Sequence, residues 1–136
     1  MKVSDYLGIK VPFLKLLGVC AELNEKGHTV LSVDIRPELT NSFDMAHGGV
    51  VMTLLDVAMA LAASGPVGQG GGAVTIDMSL SFLRPARGRI IAEARLLRGG
   101  RSLRFCEAEA RDASGELVAK AIGTFKLHKE KSDASI

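Results

Sequence analysis

The run of apolar and polar positions predicts a chain of strands interrupted by one unusual helix. Leu31, Val33 and Ile35 alternate with polar neighbours across residues 29–35, the two-residue period of a half-buried strand, and residues 19–23 read as a second strand. Asn24-Glu25-Lys26-Gly27 between them is a turn signal, so the two runs form a hairpin. Ahead of them, residues 11–17 follow the pattern of a short amphipathic turn or helix around Pro12, and residues 37–46 are a loop rich in turn formers. Residues 47–63 carry apolar side chains on every face before stopping at Gly65-Pro66, which predicts a helix buried all round. Residues 73–83 form a long strand with Val74, Ile76, Met78, Leu80 and Phe82 on one face. Three more strands follow at 89–97, 103–111 and 117–127, turning at Gly99-Gly100 and at Asp112-Ala113-Ser114-Gly115, before a frayed tail at 129–136.

This order predicts an α+β domain with the last four strands in hairpin succession, hence an antiparallel sheet. A helix apolar on all sides cannot lie half wet on a flat sheet. The sheet must curl around it, or a second molecule must cover the rest. At 136 residues the chain is read as a single domain spanning 1–136. The helix contains one charge, Asp56. A buried, unpaired carboxylate is costly, and catalysis is the leading reason to retain one.

Composition removes several classes. Asp56 splits the longest apolar run, so no membrane span is expected, and Met1-Lys2-Val3-Ser4-Asp5 lacks the pattern of a secretory leader. Cys20 and Cys106 stand apart without disulfide or metal spacing, which makes a cytoplasmic location the expectation. A net charge of +2 gives no nucleic-acid footprint. Eight of nine arginines fall between Arg84 and Arg111, a span with no lysine. For most of them the reading is solvent-facing strand positions, although the guanidinium fork also suits phosphate oxygens. His28, His47 and His128 are dispersed, so no metal site is expected. Gly68-Gln69-Gly70-Gly71-Gly72-Ala73 fits a loose dinucleotide fingerprint, but it joins a helix to a strand and not the reverse. There is no phosphate loop and no serine-hydrolase elbow, and Cys106 lies mid-strand without a neighbouring histidine.

Asn41, His47-Gly48-Gly49 and Asp56 remain. The glycines open the helix where free amides and the positive dipole end converge, a place to hold an anion or polarise a carbonyl oxygen. Asp56 lies nine residues after His47, roughly 13 Å along the helix and half a turn round it. One reacting carbonyl cannot touch both in one chain. If both act on it, the carboxylate comes from a second subunit across a two-fold axis, and activity requires a homodimer.

At these residues the chain resembles the hotdog-fold acyl-CoA thioesterases of the phenylacetate-pathway (PaaI-like) group. The resemblance extends through Ala73-Val74-Thr75-Ile76-Asp77-Met78, Phe82-Leu83-Arg84-Pro85-Ala86, Gly100-Arg101-Ser102 and Gly115-Glu116-Leu117-Val118-Ala119, covering about residues 18–127. It implies a hotdog fold, a sheet wrapped around one long helix, with dimers often paired into homotetramers. It also implies hydrolysis of an acyl-CoA thioester with no metal and no cofactor beyond the coenzyme A of the substrate. Carried onto this sequence, Asp56 is the general base or nucleophile, the Gly48 N–H binds the thioester oxygen, and Asn41 holds the thioester or the water. His47 shapes the helix start, and Thr75 stands where family members carry a serine that assists the water. By strict alternation Thr75 faces away from Val74 and Ile76, so reaching the site requires a bulge or a pocket on that other face. Arg84, Arg101 and Ser102 resemble contacts to the coenzyme A phosphates.

Two other readings use the same pocket: a hotdog-fold hydratase or dehydratase of 3-hydroxyacyl groups recruiting His47, and a non-catalytic acyl-CoA sensor. Met52, Leu55, Met59 and Phe82 are the expected lining of an acyl pocket, whether tunnel or aryl slot.

Overall fold

The computed structural model describes residues 11–65 and 72–128; most of the glycine run before Gly72 and the tail at 129–136 lie outside them. Helix α1 spans Pro12–Leu17, strands β1 and β2 span Cys20–Glu25 and His28–Asp34, and a 3-10 turn covers Pro37–Leu39. The long helix α2 spans Gly48–Ser64, followed by β3 (Ala73–Phe82), β4 (Arg89–Gly99), β5 (Leu103–Asp112) and β6 (Leu117–Leu127). All six strands form one antiparallel sheet in the order β1-β2-β4-β5-β6-β3. The α+β architecture is the expected one, a sheet curled about a single long helix that touches every strand.

One expectation about connectivity fails. The last four strands are not in hairpin succession, because β3 pairs with β6 at the far edge while β4 pairs with β2. The six residues from Leu83 to Gly88 are not a hairpin turn. They cross beneath the start of α2, where the Ala86 carbonyl accepts from the Ala46 amide at 2.8 Å and the Gly88 carbonyl from the Ile35 amide at 2.8 Å. Ala86 is buried there. Pro85 lacks an amide hydrogen and suits a crossing segment better than a ladder. This crossing ties the end of β3 to the loop ahead of α2.

The core divides its volume unequally. From α2 come Val50, Val51, Leu54, Leu55 and Met59; facing them, the sheet offers Ala92, Ala94, Cys106, Ala108, Ala110, Ala119 and Ala121. Small residues on the concave face let a bulky helix sit close without voids. Gly123 is the extreme case, since a Cβ there would stand 2.9 Å from a Phe125 ring carbon and 3.3 Å from the Met59 methyl. The helix ends are both tied. His47 caps the first turn, and Arg104 reaches up from β5 to donate to the Ala63 carbonyl at 3.1 Å, a cation at the negative end of the helix.

The packing generates a contrast between neighbours on β5. Ala108→Leu forces extra methylenes under α2 and should cost about 1–3 kcal/mol, lowering the urea midpoint. Glu107→Gln on the outward face should stay within about 0.5 kcal/mol of wild type. Equal midpoints for the two variants would show that the helix does not press on this face.

Candidate active site

The sheet does not enclose α2 completely. Gly49, Met52, Thr53, Asp56, Val57, Ala60 and Leu61 form a partly exposed stripe along the helix, with Met52 at 41% exposure. The expectation of a helix sealed on all sides is therefore corrected: one face of the single chain is open, and Asp56 lies on it, half-buried. The cause is the edge strand. β3 curls past α2 but leaves Val74, Ile76 and Phe82 exposed and has no partner on its outer side among the described residues.

A bulge on β3 decides what Asp56 meets. Thr75 pairs with Phe125 and Asp77 with Thr124, so Ile76 is an extra residue in the ladder. The extra residue reverses the parity of the strand. Ala73, Met78 and Leu80 pack against the core, while Val74 and Ile76 are exposed, Ile76 at 54%. The predicted apolar face through Val74 and Ile76 is thus wrong before the bulge and right after it. Thr75 consequently turns toward α2, and its Oγ1 donates a 2.6 Å hydrogen bond to Asp56 Oδ1. The second carboxylate oxygen, Oδ2, has no partner among the described residues.

The start of α2 is built from local hydrogen bonds. His47 Nδ1 accepts from the Gly49 amide at 2.8 Å, the His47 carbonyl accepts from Val50 at 2.9 Å, and the His47 amide donates to the Leu39 carbonyl. Among the amides of this turn, Gly48 alone finds no acceptor within the described residues. A Cβ on Gly48 would stand 3.3 Å from Cζ of Phe82, so the glycine lets that ring lie over the helix start. Asn41 uses its Oδ1 to accept from the Phe43 and Met45 amides at 2.8 and 3.2 Å, which shapes the loop and leaves its Nδ2 hydrogens as free donors. Asn41, Gly48, Phe82 and Arg84 line one pocket of about 350 Å³. Asn41 and Gly48, each with a donor unspent among the described residues, thus line one common pocket.

Known proteins share the sequence pattern and the fold. The model of the thioesterase superfamily matches residues 43–119. The chain belongs to the thioesterase superfamily. A relative from Saccharolobus solfataricus, provisionally named an esterase, is 34% identical over 81% of this chain and 79% of its own. A medium/long-chain acyl-CoA thioesterase, YigI, from Salmonella typhimurium is 28% identical over 92% of this chain and 91% of its own. The solved structure of the PaaI protein from the phenylacetic acid degradation operon of Escherichia coli superposes with a TM-score of 0.80 at 24% identity, covering 87% of this chain and 85% of that one. The hotdog fold is shared, and thioester hydrolysis is the reaction class of this thioesterase-superfamily member.

The remaining predicted residues separate. Arg84 follows β3 and pairs with Glu116 at 3.3 Å. Arg101 and Ser102 belong to the β4–β5 turn at the other end of β3: the Ser102 carbonyl accepts from Leu127, which pairs with Ala73. Within one chain Arg84 and Arg101 therefore stand at opposite ends of a ten-residue strand, roughly 30 Å apart. Most other arginines have structural employment. Arg89, Arg95 and Arg111 pair with carboxylates on strand surfaces, and Arg104 caps α2. Leu55 and Met59 are fully buried and drop out as acyl-pocket lining, whereas Met52 and Phe82 stay accessible. Sequence reasoning missed the role of Arg36, although its isolation from the other arginines was a signal. Its guanidinium donates to the Leu16 and Leu17 carbonyls at 2.7 and 2.8 Å, pinning the C-terminal end of α1.

Cys106 is not a nucleophile. Its Sγ lies 3.5 Å from the Met59 carbonyl, and burial pushes its pKa from 9.0 up to about 11, partly offset by Arg104. At pH 8 the thiol stays protonated. Iodoacetamide at that pH should leave Cys106 unlabelled by mass spectrometry in the folded protein; rapid labelling there would contradict the burial.

Proposed function

We propose that this protein hydrolyses acyl-CoA thioesters in a two-fold dimer, with Asp56 of one subunit serving the helix start of the other. The observation that carries the reading is the Thr75–Asp56 pair on the open stripe of an otherwise dry helix. Gly48 and Asp56 are eight residues apart, about 12 Å along α2, too far to share one carbonyl carbon. An antiparallel partner helix closes the distance when its axis passes midway, at Met52, which is the most exposed apolar residue of the helix.

The edge strand gives an independent check on that axis. Phe82 lies over Gly48 and Thr75 lies against Asp56, so β3 runs antiparallel to α2 with the same two anchor points. A rotation that exchanges Gly48 with the partner's Asp56 also exchanges Phe82 with the partner's Thr75. The strands then pair edge to edge about Met78 and Ser79. One axis thus covers the open stripe and removes the unpaired edge together, both of which are liabilities in a lone chain. It also brings Arg84 beside the partner's Arg101 and the partner's Ser102, so the coenzyme A phosphates meet both cations. Pairing of such dimers into a tetramer is part of the same proposal.

The chemistry follows from the donors and acceptors. The thioester oxygen accepts from Gly48 N–H and Asn41 Nδ2–H. A water donates a hydrogen bond to Oδ2 of the partner's Asp56 and gives up that proton to it, while its oxygen attacks the carbonyl carbon. Thr75 occupies Oδ1 and so aims the free oxygen, which favours the general-base role over direct attack. The tetrahedral intermediate collapses by breaking the C–S bond; the coenzyme A sulfur takes the proton back from Asp56, and the free acid leaves. His47 Nδ1 holds the Gly49 amide, which suits a residue that shapes the helix start. That capping role favours hydrolysis over the 3-hydroxyacyl hydratase reading, which needs His47 as its base.

Colorimetric thiol release from an acyl-CoA panel tests the activity. Asp56→Asn should lose about 10²–10⁴-fold in kcat while folding normally, and Asn41→Asp, which keeps the loop acceptor but removes the donor, about 10²–10³-fold. Binding without turnover in the wild-type protein would favour the sensor. The shared site has its own test. Co-expressed Asp56→Asn and Asn41→Asp chains place both defects in one site of the heterodimer and leave the other intact, restoring about a quarter of wild-type activity. No restoration would refute the cross-subunit arrangement.

A further inference from the structure

Two grooves flank the first turn of α2, and their chemistry differs. The groove carrying Asn41 and Gly48 contains Arg84. The other, of about 420 Å³, begins at Gly49 and runs between α1 and α2 over Leu17, Leu39 and Val50, with Phe13 and Met52 at its rim. Its polar lining is Thr40, His47, Thr53 and Glu38, whose carboxylate pairs with Arg36 at 3.7 Å, and it contains no lysine or arginine. We infer that this second groove seats the acyl chain of the substrate and that α1 is its specificity wall, an inference resting on the hydrolase reading above. Coenzyme A carries several phosphates, so the side lined by Arg84 suits its arm, and no lysine or arginine lines the second groove to receive them. The acyl group, uncharged and apolar, takes the remaining direction from the Gly48 amide.

The groove is a built feature. Leu17 is buried, Phe13 is 53% exposed, and the two bonds from Arg36 to the end of α1 fix the wall at a set distance from the helix. Met52 is unbranched and adaptable, which suits a chain of variable length. The groove is a trough along α1 and not a closed slot, so a linear alkyl chain is the occupant it fits, with the proposed partner helix as its roof. Phe13 and Met52 are then specificity residues, and Arg36 is a positioning residue that acts through α1.

The test is chain-length selectivity in thiol release from butanoyl-, octanoyl- and dodecanoyl-CoA. Each methylene that the groove removes from water should raise kcat/KM up to about fourfold. Phe13→Ser should reduce the dodecanoyl-to-butanoyl ratio at least tenfold. Arg36→Ala should raise KM for dodecanoyl-CoA with kcat retained. Leu16→Ala, a more exposed neighbour on α1 outside the groove, should keep the wild-type ratio. An unchanged ratio in Phe13→Ser, an equal fall in Leu16→Ala, or a preference for benzoyl-CoA over every linear chain would each overturn the assignment. Calorimetric binding of dodecanoate reads the groove without turnover. Tenfold weaker binding to Phe13→Ser supports it even where no thiol is released from any substrate, an outcome that would sink the hydrolase reading alone; equal binding overturns the groove.

Discussion

The need to keep α2 dry governs the rest of this molecule. A helix carrying valine, leucine and methionine around its circumference must be surrounded, and a six-stranded sheet can surround it only if its own inner side chains are small. The alanines of β4, β5 and β6, with Gly123, meet that requirement, and the curl of the sheet follows from the close approach they allow. The enclosure stops at β3, the last strand in the order, and the open stripe is what remains. Asp56 lies on that stripe, so its desolvation is partial and its carboxylate is reachable. A fully sealed acid could not exchange a proton with water. An acid on an ordinary wet surface would lack the confinement that an orienting hydroxyl provides.

Much of the fold was legible because periodicity is a direct consequence of burial. The strand alternation around Leu31 and Val33, the all-apolar helix and the turn glycines each predicted the element found at their positions. The order of strands in the sheet was not legible, because a crossing segment such as residues 83–88 differs from a hairpin loop mainly in what lies above it, and that is a tertiary fact. The face of β3 was not legible for a different reason. A single inserted residue leaves the composition of the strand unchanged while exchanging its two faces, and no local signal marks Ile76 as the insertion. The chemical consequence is large, since the shift is what turns Thr75 onto Asp56.

The candidate site was partly legible in the same uneven way. Asn41, Gly48 and Arg84 converge on one pocket, as residues close to the helix start can be expected to do. Arg101 and Ser102 do not join them in one chain, because the β4–β5 turn closes at the opposite end of the sheet. Sequence spacing shows which residues share an element; it is silent about which end of an antiparallel sheet a given turn occupies. The arginine-rich span illustrates the limit from the other side. Its members serve unlike purposes, since Arg89, Arg95 and Arg111 pair with neighbouring carboxylates, Arg104 caps a helix, and Arg84 stands at a pocket. Exposed pairs of this kind contribute little to stability individually, so clustering along the chain carried no single meaning.

The division of labour at the helix start has a physical rationale of its own. A thioester substrate is polar at one end and apolar at the other, and its reacting carbonyl lies at the junction. A site that binds both ends must present cations and apolar surface within a few ångströms without letting one spoil the other. A helix N-terminus separates them well. Its unpaired amide points out along the axis, while the successive residues Gly48 and Gly49 open onto different flanks of the turn. His47, by accepting the Gly49 amide, leaves Gly48 as the one donor without a partner there among the described residues, the position proposed above for the thioester oxygen. A Cβ at either glycine would crowd a neighbour, the ring of Phe82 at 3.3 Å for Gly48 and the imidazole of His47 at 3.1 Å for Gly49. The His-Gly-Gly sequence therefore caps the turn, leaves one amide without a partner among the described residues and keeps both flanks uncrowded.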